Sequence, residues 1–315
     1  MIFSGLELLG DIPFSAVIIH TTVLAPDGRR MSKSLGTGLD PMELVEQHGA
    51  DATRYGLLKL TSSQDVRFSE GAIEEGRRLA NKLWNVSRLI LGNVGEARPE
   101  LRPRSLEERW ISSRLYRAQA QLDAHLAAFE FSHAMDVLYH VTFDDFCDWY
   151  AEAIKPRLYD GDADAQATAL ANLERLLELL HPAMPHVTEE IWSNLPARES
   201  RLIVAAWPEP AGADGGADAE FDPIRVAAEV FRRAGVRAPL EPEAQRIFDA
   251  VVKPERAKVD GVNVEAEAER LRGEIARAEK MLANERFVQN APGDVVEAER
   301  EKLERYRREL DALGV

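Results

Sequence analysis

The chain has 315 residues, which is enough for two domains and a sizeable hydrophobic core. Its formal net charge of −15, from 39 basic and 54 acidic residues, argues against a protein that coats nucleic acid with a uniformly basic surface. Local basic patches still allow a large RNA ligand. The single cysteine, Cys147, excludes an intrachain disulfide and a cysteine-based zinc site. No apolar run reaches membrane-spanning length and no signal segment opens the chain, so we expect a cytoplasmic protein with no membrane partner.

The first predicted element is a buried strand at residues 16–24, because this stretch is apolar and rich in β-branched side chains. The sequence Pro26-Asp27-Gly28 then supplies a turn. A polar, glycine-containing loop follows at residues 30–36.

Two short helices are predicted after the loop. Asp40 is the expected N-cap of the first, with Pro41 in the first helical position and Gly49 at its end. Asp51 is the expected N-cap of the second, at residues 52–60.

Most of the remaining chain has helical periodicity. Longer helices are predicted at residues 69–91, 106–129, 131–155, 163–180, 186–195 and 220–234. Gly95, Pro99 and Pro103 indicate a linker at residues 93–104. We expect a short edge strand at Leu202-Ile203-Val204, a flexible linker at residues 208–219, and little regular structure at residues 235–262.

The end of the chain has the pattern of a helical hairpin. Apolar residues recur at spacings of three and four from Ala268 to Leu282, and again from Val296 to Leu313. The sequence Asn290-Ala291-Pro292-Gly293 between them cannot continue a helix. Two helices with one apolar seam each, joined by a short turn, predict an antiparallel coiled-coil hairpin, and the whole fold is expected to be mainly α.

The loop at residues 30–36 has the residues that a polyphosphate requires. Lys33 offers a compact positive charge, and Ser32 and Ser34 offer hydroxyl groups. Gly36 allows the loop to change shape as phosphate arrives and leaves. Ser-Lys-Ser alone is more typical of a polar surface turn, but the longer string Arg30-Met-Ser-Lys-Ser34 is far rarer by chance.

That string resembles the Lys-Met-Ser-Lys-Ser signature of class I aminoacyl-tRNA synthetases. Residues 31–41 and 49–54 resemble the segment after the signature in the subgroup for valine, isoleucine and leucine. Residues 81–85, Asn-Lys-Leu-Trp-Asn, resemble the start of the subgroup's anticodon-binding domain, and residues 181–192 resemble a later part of it. Residues 282–303 are similar to the C-terminal arm of bacterial valyl-tRNA synthetases, which favours the valine family.

The resemblance implies a domain order. Residues 1–68 are expected to form the end of a Rossmann-type catalytic domain, and residues 69–207 an all-α anticodon-binding bundle. Residues 208–262 are expected to be a linker and irregular region, and residues 263–315 a coiled-coil tRNA-binding arm.

The resemblance also implies an activity. Members of the family activate valine with ATP and Mg²⁺ to valyl-adenylate and transfer the valine to tRNA(Val). Lys33 matches the signature's second lysine, which stabilises the ATP phosphates, and is the implied catalytic residue. The implied ATP-binding residues are Arg30, Met31, Ser32, Lys33 and Ser34.

Three departures from the family pattern affect this expectation. The region at residues 235–262 is short and irregular against that pattern, which affects any contacts expected there. Arg30 replaces the signature's first lysine, which keeps the charge and changes its geometry. The chain also contains no His-x-Gly-His segment and has no room for an amino-acid pocket or an editing domain. We therefore expect that the chain alone does not activate valine. A companion chain that carries the missing half is one way to complete the enzyme, and a fragment of a longer protein is another.

Two groups of residues are candidates for tRNA contact. On the first helix of the anticodon-binding domain they are Asn81, Lys82, Trp84 and Asn85. On the arm they are Arg270, Arg277, Lys280 and Arg286. For Trp84 and Trp192, packing in the core is the favoured role over base stacking.

No metal site is predicted. His133 and His140 lie seven residues apart on one helix face, and no third ligand is evident near them. Three alternative functions remain open: a non-catalytic tRNA-binding protein, a fragment of an isoleucyl- or leucyl-tRNA synthetase, and a generic coiled-coil interaction protein.

Overall fold

The structure, a computed structural model, describes residues 1–19, 21–32, 36–61, 65–196, 200–255, 264–291 and 293–314. The protein is mainly α, as predicted. Its α-helices are α1 (Ile2–Leu9), α2 (Pro41–His48), α3 (Ala50–Lys59), α4 (Glu70–Leu91), α5 (Leu106–Ala127), α6 (Phe131–Tyr139), α7 (Ala151–Tyr159), α8 (Ala163–Leu180), α9 (Pro185–Ser193), α10 (Gly215–Ala234), α11 (Pro242–Val252), α12 (Val264–Leu282), α13 (Glu285–Asn290) and α14 (Gly293–Leu313). A π-helical segment, His140–Tyr150, joins α6 to α7. The two strands are β1 (Val23–Leu24) and β2 (Val66–Arg67).

The chain divides into two compact units. The first unit comprises residues 1–89, 117–143 and 173–210. The second unit comprises residues 90–116, 144–172 and 211–315. Each unit is therefore assembled from segments that are distant in sequence.

The predicted strand at residues 16–24 is wrong in extent. Only Val23 and Leu24 form a strand, which pairs in parallel with β2 in the register Val23↔Val66 and Leu24↔Arg67. Residues 16–19 have no regular structure, and the Ile19 side chain is 92% exposed. A β-branched run becomes a buried strand only where neighbouring strands satisfy its backbone, and among the described residues β2 is the only strand beside it.

The caps of the two short helices differ from each other. Asp40 caps α2 as predicted, since its carboxylate accepts a hydrogen bond of 2.8 Å from the Met42 N–H. The prediction for Asp51 is wrong: α3 begins at Ala50, and the Asp51 carboxylate accepts from the N–H groups of His186 (3.0 Å) and Val187 (2.6 Å). Asp51 thus satisfies the first free N–H groups of α9, a helix more than 130 residues later in the chain.

The core of the first unit brings α3 and α4 close together. Leu44, Ala52, Phe68 and Ile73 form one buried cluster. A Cβ atom on Gly56 of α3 would lie 2.5 Å from the Ile73 side chain, so only glycine allows this approach.

A charged network ties α6 to the same core. Lys59 Nζ donates to Glu75 at 2.9 Å and to Asp136 at 2.5 Å. The Tyr55 hydroxyl also donates to Glu75, at 2.5 Å. Burial opposes the charge of Lys59, but these two carboxylates outweigh it and raise the lysine pKa.

The second unit contains more helix than predicted: α10 covers the predicted helix at residues 220–234 but starts earlier, and α11 lies where irregular chain was predicted. The predicted linker at 208–219 gives way to α10 at Gly215, where the Asp214 carboxylate caps the helix by accepting from the Gly216 and Ala217 N–H groups. In the predicted irregular region, α11 forms from Pro242 to Val252. The polar composition of both segments obscured the apolar face that each helix buries.

Contacts of α10 and α11 show why both are ordered. The rings of Trp110 and Phe221 stack with their centroids 4.0 Å apart, and those of Phe231 and Phe248 meet edge to face at 5.8 Å. Glu243 of α11 accepts from the Leu106 N–H at 2.9 Å and so caps α5. These contacts make both helices part of the folded unit.

One predicted strand is replaced by a helical turn. Leu202–Val204 forms a 3₁₀ helix in the first unit. Both oxygens of the Glu189 carboxylate accept from N–H groups here, those of Leu202 (3.0 Å) and Ile203 (3.1 Å). These N–H groups are therefore engaged by a side chain and not by a sheet.

The antiparallel hairpin forms as predicted from α12 and α14. Ala268 and Leu271, near the start of α12, pack in one buried cluster with Leu313, at the end of α14. Further along α12, Glu279 pairs with Arg307 at 2.8 Å. A later residue of one helix therefore meets an earlier residue of the other, which is the antiparallel register.

Candidate nucleotide loop and RNA-binding surfaces

The candidate phosphate loop starts from a tight turn. Gly28 has a φ of 85° and donates its N–H to the Ala25 carbonyl at 2.8 Å. The Asp27 carboxylate accepts from the backbone N–H of Arg29 at 3.0 Å and from its Nε at 2.7 Å. The backbone N–H and the Arg29 guanidinium both lower the pKa of Asp27.

Thr37 joins the two sides of the loop. Its hydroxyl accepts from the Ser32 N–H at 3.0 Å and donates to the Arg30 carbonyl at 3.2 Å, and its own N–H donates to the Ser32 carbonyl at 3.2 Å. Lys33 and Ser34, the central residues of the predicted site, lie outside the described residues. Hydrogen bonds of Thr37 thus join the two ends of the loop.

The described signature residues have different surroundings. Met31 packs against the buried cluster of the first unit, so its side chain anchors the loop. Arg30 is exposed, and no described residue makes an ion pair with its guanidinium. Arg30 is therefore available to a phosphate, whereas Met31 has a structural role.

Sequence reasoning missed Arg67 beside the loop. Leu24 pairs with Arg67 on one side and bridges to Arg30 on the other. The Arg67 guanidinium lies against the turn, with Nε 3.1 Å from the point where a Gly28 Cβ would be. Arg67 lies in the two-residue strand β2, and its nearness to the loop is not evident in the sequence until the pairing with β1 is known. Arg67 is thus a second exposed cation beside the loop.

The candidate anticodon face lies on α4. Asn81 and Asn85 are exposed. The predicted core role of Trp84 is wrong, because its side chain is 37% exposed while the stripe containing Leu79 and Leu83 faces the core. One residue corresponds to about 100° on a helix, which turns Trp84 away from that stripe.

Trp192 and Lys82, the other aromatic and charged residues considered for RNA contact, have partners within the protein. Trp192 is buried as predicted, and its Nε1 donates to the Ser200 carbonyl at 2.9 Å. Lys82 Nζ lies 3.2 Å from the centroid of the Phe143 ring, a cation–π contact. The face that α4 offers to a ligand is therefore formed by Asn81, Trp84 and Asn85.

Cations at the base of the arm are paired internally. Arg270 donates to both oxygens of Glu267, at 2.8 and 2.6 Å, which lowers the Glu267 pKa. Glu309 is 3% exposed and lies 3.6 Å from Arg233, 3.8 Å from Arg270 and 3.7 Å from Arg305. Burial raises the Glu309 pKa in spite of these arginines. The guanidinium of Arg270 is therefore engaged by carboxylates within the arm.

Cations nearer the tip of the arm are available. Lys280 and Arg286 are exposed, and no ion pair with a described residue engages either side chain. Arg277 is 77% exposed and has only a local partner, Glu274 at 2.9 Å. Near the turn of the arm, Lys280 and Arg286 thus have no ion-pair partner among the described residues. At the base of the arm, Arg270 is paired with Glu267.

The chain's sequence matches three family models in order. The description "tRNA synthetases class I (I, L, M and V)" covers residues 1–69, "Anticodon-binding domain of tRNA ligase" covers 108–244, and "Valyl tRNA synthetase tRNA binding arm" covers 262–314. The chain belongs to the valyl-tRNA synthetase family and corresponds to its C-terminal portion. No helix in the described ranges is long and apolar enough to cross a membrane.

Curated relatives of the family align with almost the whole chain. Valine–tRNA ligase of Carboxydothermus hydrogenoformans is 35% identical over 99% of this chain and 42% of its own length, and that of Bacillus subtilis is 33% identical over 99% and 43%. The valine–tRNA ligase of Symbiobacterium thermophilum is 42% identical over 68% of this chain and 24% of its own. This chain therefore spans less than half the length of the relatives it matches.

A solved structure supports the fold. It is the crystal structure of the ternary complex of Agrobacterium radiobacter K84 agnB2 LeuRS with tRNA and LeuAMS. It matches with a TM-score of 0.53 and 26% identity over 65% of this chain and 26% of that one. A helical architecture of this kind thus occurs in a synthetase bound to tRNA.

Proposed function

We propose that this chain is the portion of a valine–tRNA ligase that holds tRNA(Val) and contributes one phosphate-binding loop to the ATP site. The observation that carries the proposal is the order of the three matched segments, which ends in an arm described as valyl. That arm favours valine over isoleucine and leucine. A generic coiled-coil protein would not be expected to contain the class I synthetase segment and the anticodon-binding segment.

The loop's proposed task is electrostatic. Lys33, at the signature position, stabilises the phosphates of ATP·Mg²⁺ as negative charge develops during formation of valyl-adenylate. The free guanidinium of Arg30 supports this role, and so does the exposed Arg67 beside it. The Thr37 hydrogen bonds hold the backbone of Arg30 and Ser32, so these two residues need little rearrangement when the nucleotide binds.

The proposed task of the helical parts is to hold the tRNA at two places. Trp84 provides an exposed ring on which a base can stack, and Asn81 and Asn85 provide hydrogen-bonding groups beside it. Lys280 and Arg286 provide charge for backbone phosphates. Two binding surfaces, one in each unit, raise the affinity for one tRNA without requiring a strongly basic protein.

Activation of valine is proposed to require the part of the relatives' length that this chain does not span, supplied in the test as a companion fragment. The relatives extend well beyond the span that this chain matches, and no His-x-Gly-His segment is present here. A non-catalytic tRNA-binding protein is the second candidate, and the matches to the anticodon-binding domain and to the tRNA-binding arm are compatible with it.

An exchange assay separates these two candidates. The chain is incubated with valine, ATP and labelled pyrophosphate, with and without a fragment of a relative that ends where the match to this chain begins. We expect no valine-dependent exchange from either part alone and exchange from the mixture, lost on Lys33→Ala. Exchange by this chain alone would contradict the companion requirement, and a mixture that stays inactive while tRNA binding persists would favour the non-catalytic candidate.

A further inference from the structure

The turn between α5 and α6 brings three metal-binding side chains together in the first unit. His125 Nδ1 lies 2.8 Å from Glu130 Oε2, and His133 Nδ1 lies 4.0 Å from the same oxygen. One ligand atom from each of the three residues lies within 4.8 Å of the other two. No other group of three or more histidine, cysteine or carboxylate ligands is this close in the part of the chain that the structure describes.

The backbone fixes the spacing of these residues. The Glu130 N–H donates to the His125 carbonyl at 2.8 Å, which closes the turn, and the Ala134 N–H donates to the Glu130 carbonyl at 3.0 Å. Phe129 lies between them with a φ of 60°, a left-handed conformation that a residue with a bulky side chain rarely adopts. Strained residues of this kind are concentrated at functional sites and turns.

We propose that His125, Glu130 and His133 bind a divalent transition-metal ion of the Zn²⁺ type. Two imidazoles and one carboxylate are a ligand set that Zn²⁺ accepts, with water in the fourth position. Neighbouring ligand atoms in a tetrahedral zinc site are about 3.3 Å apart, given metal–ligand distances near 2.0 Å. Both observed spacings to the Glu130 oxygen are within a small side-chain rotation of that value.

The site's accessibility favours reversible binding. The side chains of Glu130 and His133 are 50% and 67% exposed, so both can rotate toward an ion that arrives from solvent. A bound ion would join the end of α5 to the start of α6 across the turn. Its expected effect is a more rigid corner, with no part in the transfer of valine.

The test is metal binding by the complete 315-residue chain, produced without a histidine tag and stripped with a chelator. Titration calorimetry with Zn²⁺ and absorption spectroscopy with Co²⁺ measure affinity and coordination. We expect one ion per chain and a Co²⁺ spectrum typical of a low-coordinate site. His125→Ala and His133→Ala are each expected to weaken binding by about tenfold or more, because two ligands remain.

Two further variants keep the result interpretable. His186→Ala removes another exposed histidine, which lies outside the cluster, and should leave binding unchanged. His133→Cys replaces one zinc ligand by another and should retain binding, with a thiolate band in the Co²⁺ spectrum. Circular dichroism without metal checks that all variants fold. No uptake of Zn²⁺ or Co²⁺ by the parent chain, or equal uptake by the cluster variants, would overturn the proposal.

Discussion

Apolar side chains are exposed in the N-terminal segment at residues 1–19 and buried in the C-terminal hairpin. In the hairpin, Ala268 and Leu271 are buried in the seam between the helices. In the N-terminal segment, Leu8 is 81% and Ile19 92% exposed. The hairpin thus buries its apolar side chains between its own helices, whereas the N-terminal segment leaves its apolar side chains exposed.

The largest expected effect is on stability, and it tests whether the two regions differ in how tightly their apolar side chains are packed. Leu271→Ala should lower the free energy of unfolding by about 3 kcal/mol, since it leaves a cavity in a closed seam. Leu8→Ala removes the same atoms from an exposed site and should change it by less than about 0.5 kcal/mol. Urea unfolding followed by circular dichroism measures both. Equal losses in the two variants would mean that the N-terminal segment is packed as tightly as the arm.

The next largest effect concerns the candidate anticodon face. Trp84→Ala should weaken binding of tRNA(Val) by about 1 to 2 kcal/mol, roughly tenfold, because a stacked base loses its aromatic partner. Its stability should change little, since the ring is partly exposed. Filter binding and thermal melting give the two values. Leu83→Ala, on the buried stripe of the same helix, is the matched control: it should lower stability. An unchanged affinity in Trp84→Ala would remove Trp84 from the RNA surface.

A smaller effect is expected at the arm. The double variant Lys280→Ala and Arg286→Ala should weaken tRNA binding several-fold at moderate salt, and the slope of log affinity against log salt should fall by about 2. Arg270→Gln is the control, because its charge is already neutralised by Glu267. A slope that is the same in the double variant and the parent chain would show that these two cations do not contact phosphates.

The smallest effect is a pH dependence at the base of the arm. The hydrogen bond from Arg270 lowers the Glu267 pKa below its ordinary value of 4.5, so the contribution of this pair to stability is complete above that pH. It is lost as the pH falls through the lowered pKa. Glu267→Gln should therefore be less stable than the parent chain at pH 7, and this difference should shrink on acidification. Melting temperatures between pH 7 and pH 3 measure it, and a difference that grows toward acid pH would contradict the assignment.

Local pattern was sufficient to predict the longer helices and the hairpin. The α8 helix occupies residues 163–180 as predicted, and the seam residues of α12 and α14 are the ones whose spacing indicated a coiled coil. In these segments apolar residues recur at spacings of three and four positions, which places them on one face of a helix, so the buried face can be identified from the local sequence.

Contacts outside a single helix explain the features that could not be predicted from the sequence. Asp51 caps α9 and not its own helix, because α9 brings its free N–H groups to the carboxylate. His133 was compared with His140 along one helix, whereas the turn at Phe129 places it beside His125 and Glu130. Arg67 became a candidate only through its pairing with β1. Asp51 and Arg67 therefore depend on contacts between distant parts of the chain, and the histidine cluster depends on the turn between two consecutive helices.

The face on α4 and the cations of the arm are proposed to hold the same tRNA(Val), and footprinting of that tRNA tests this most directly. The parent chain should protect the anticodon loop together with a second region of the tRNA outside that loop. Trp84→Ala should lose protection only at the anticodon loop, and the Lys280→Ala, Arg286→Ala variant only at the second region. Protection of a single region, or loss of both regions in either variant, would contradict the account.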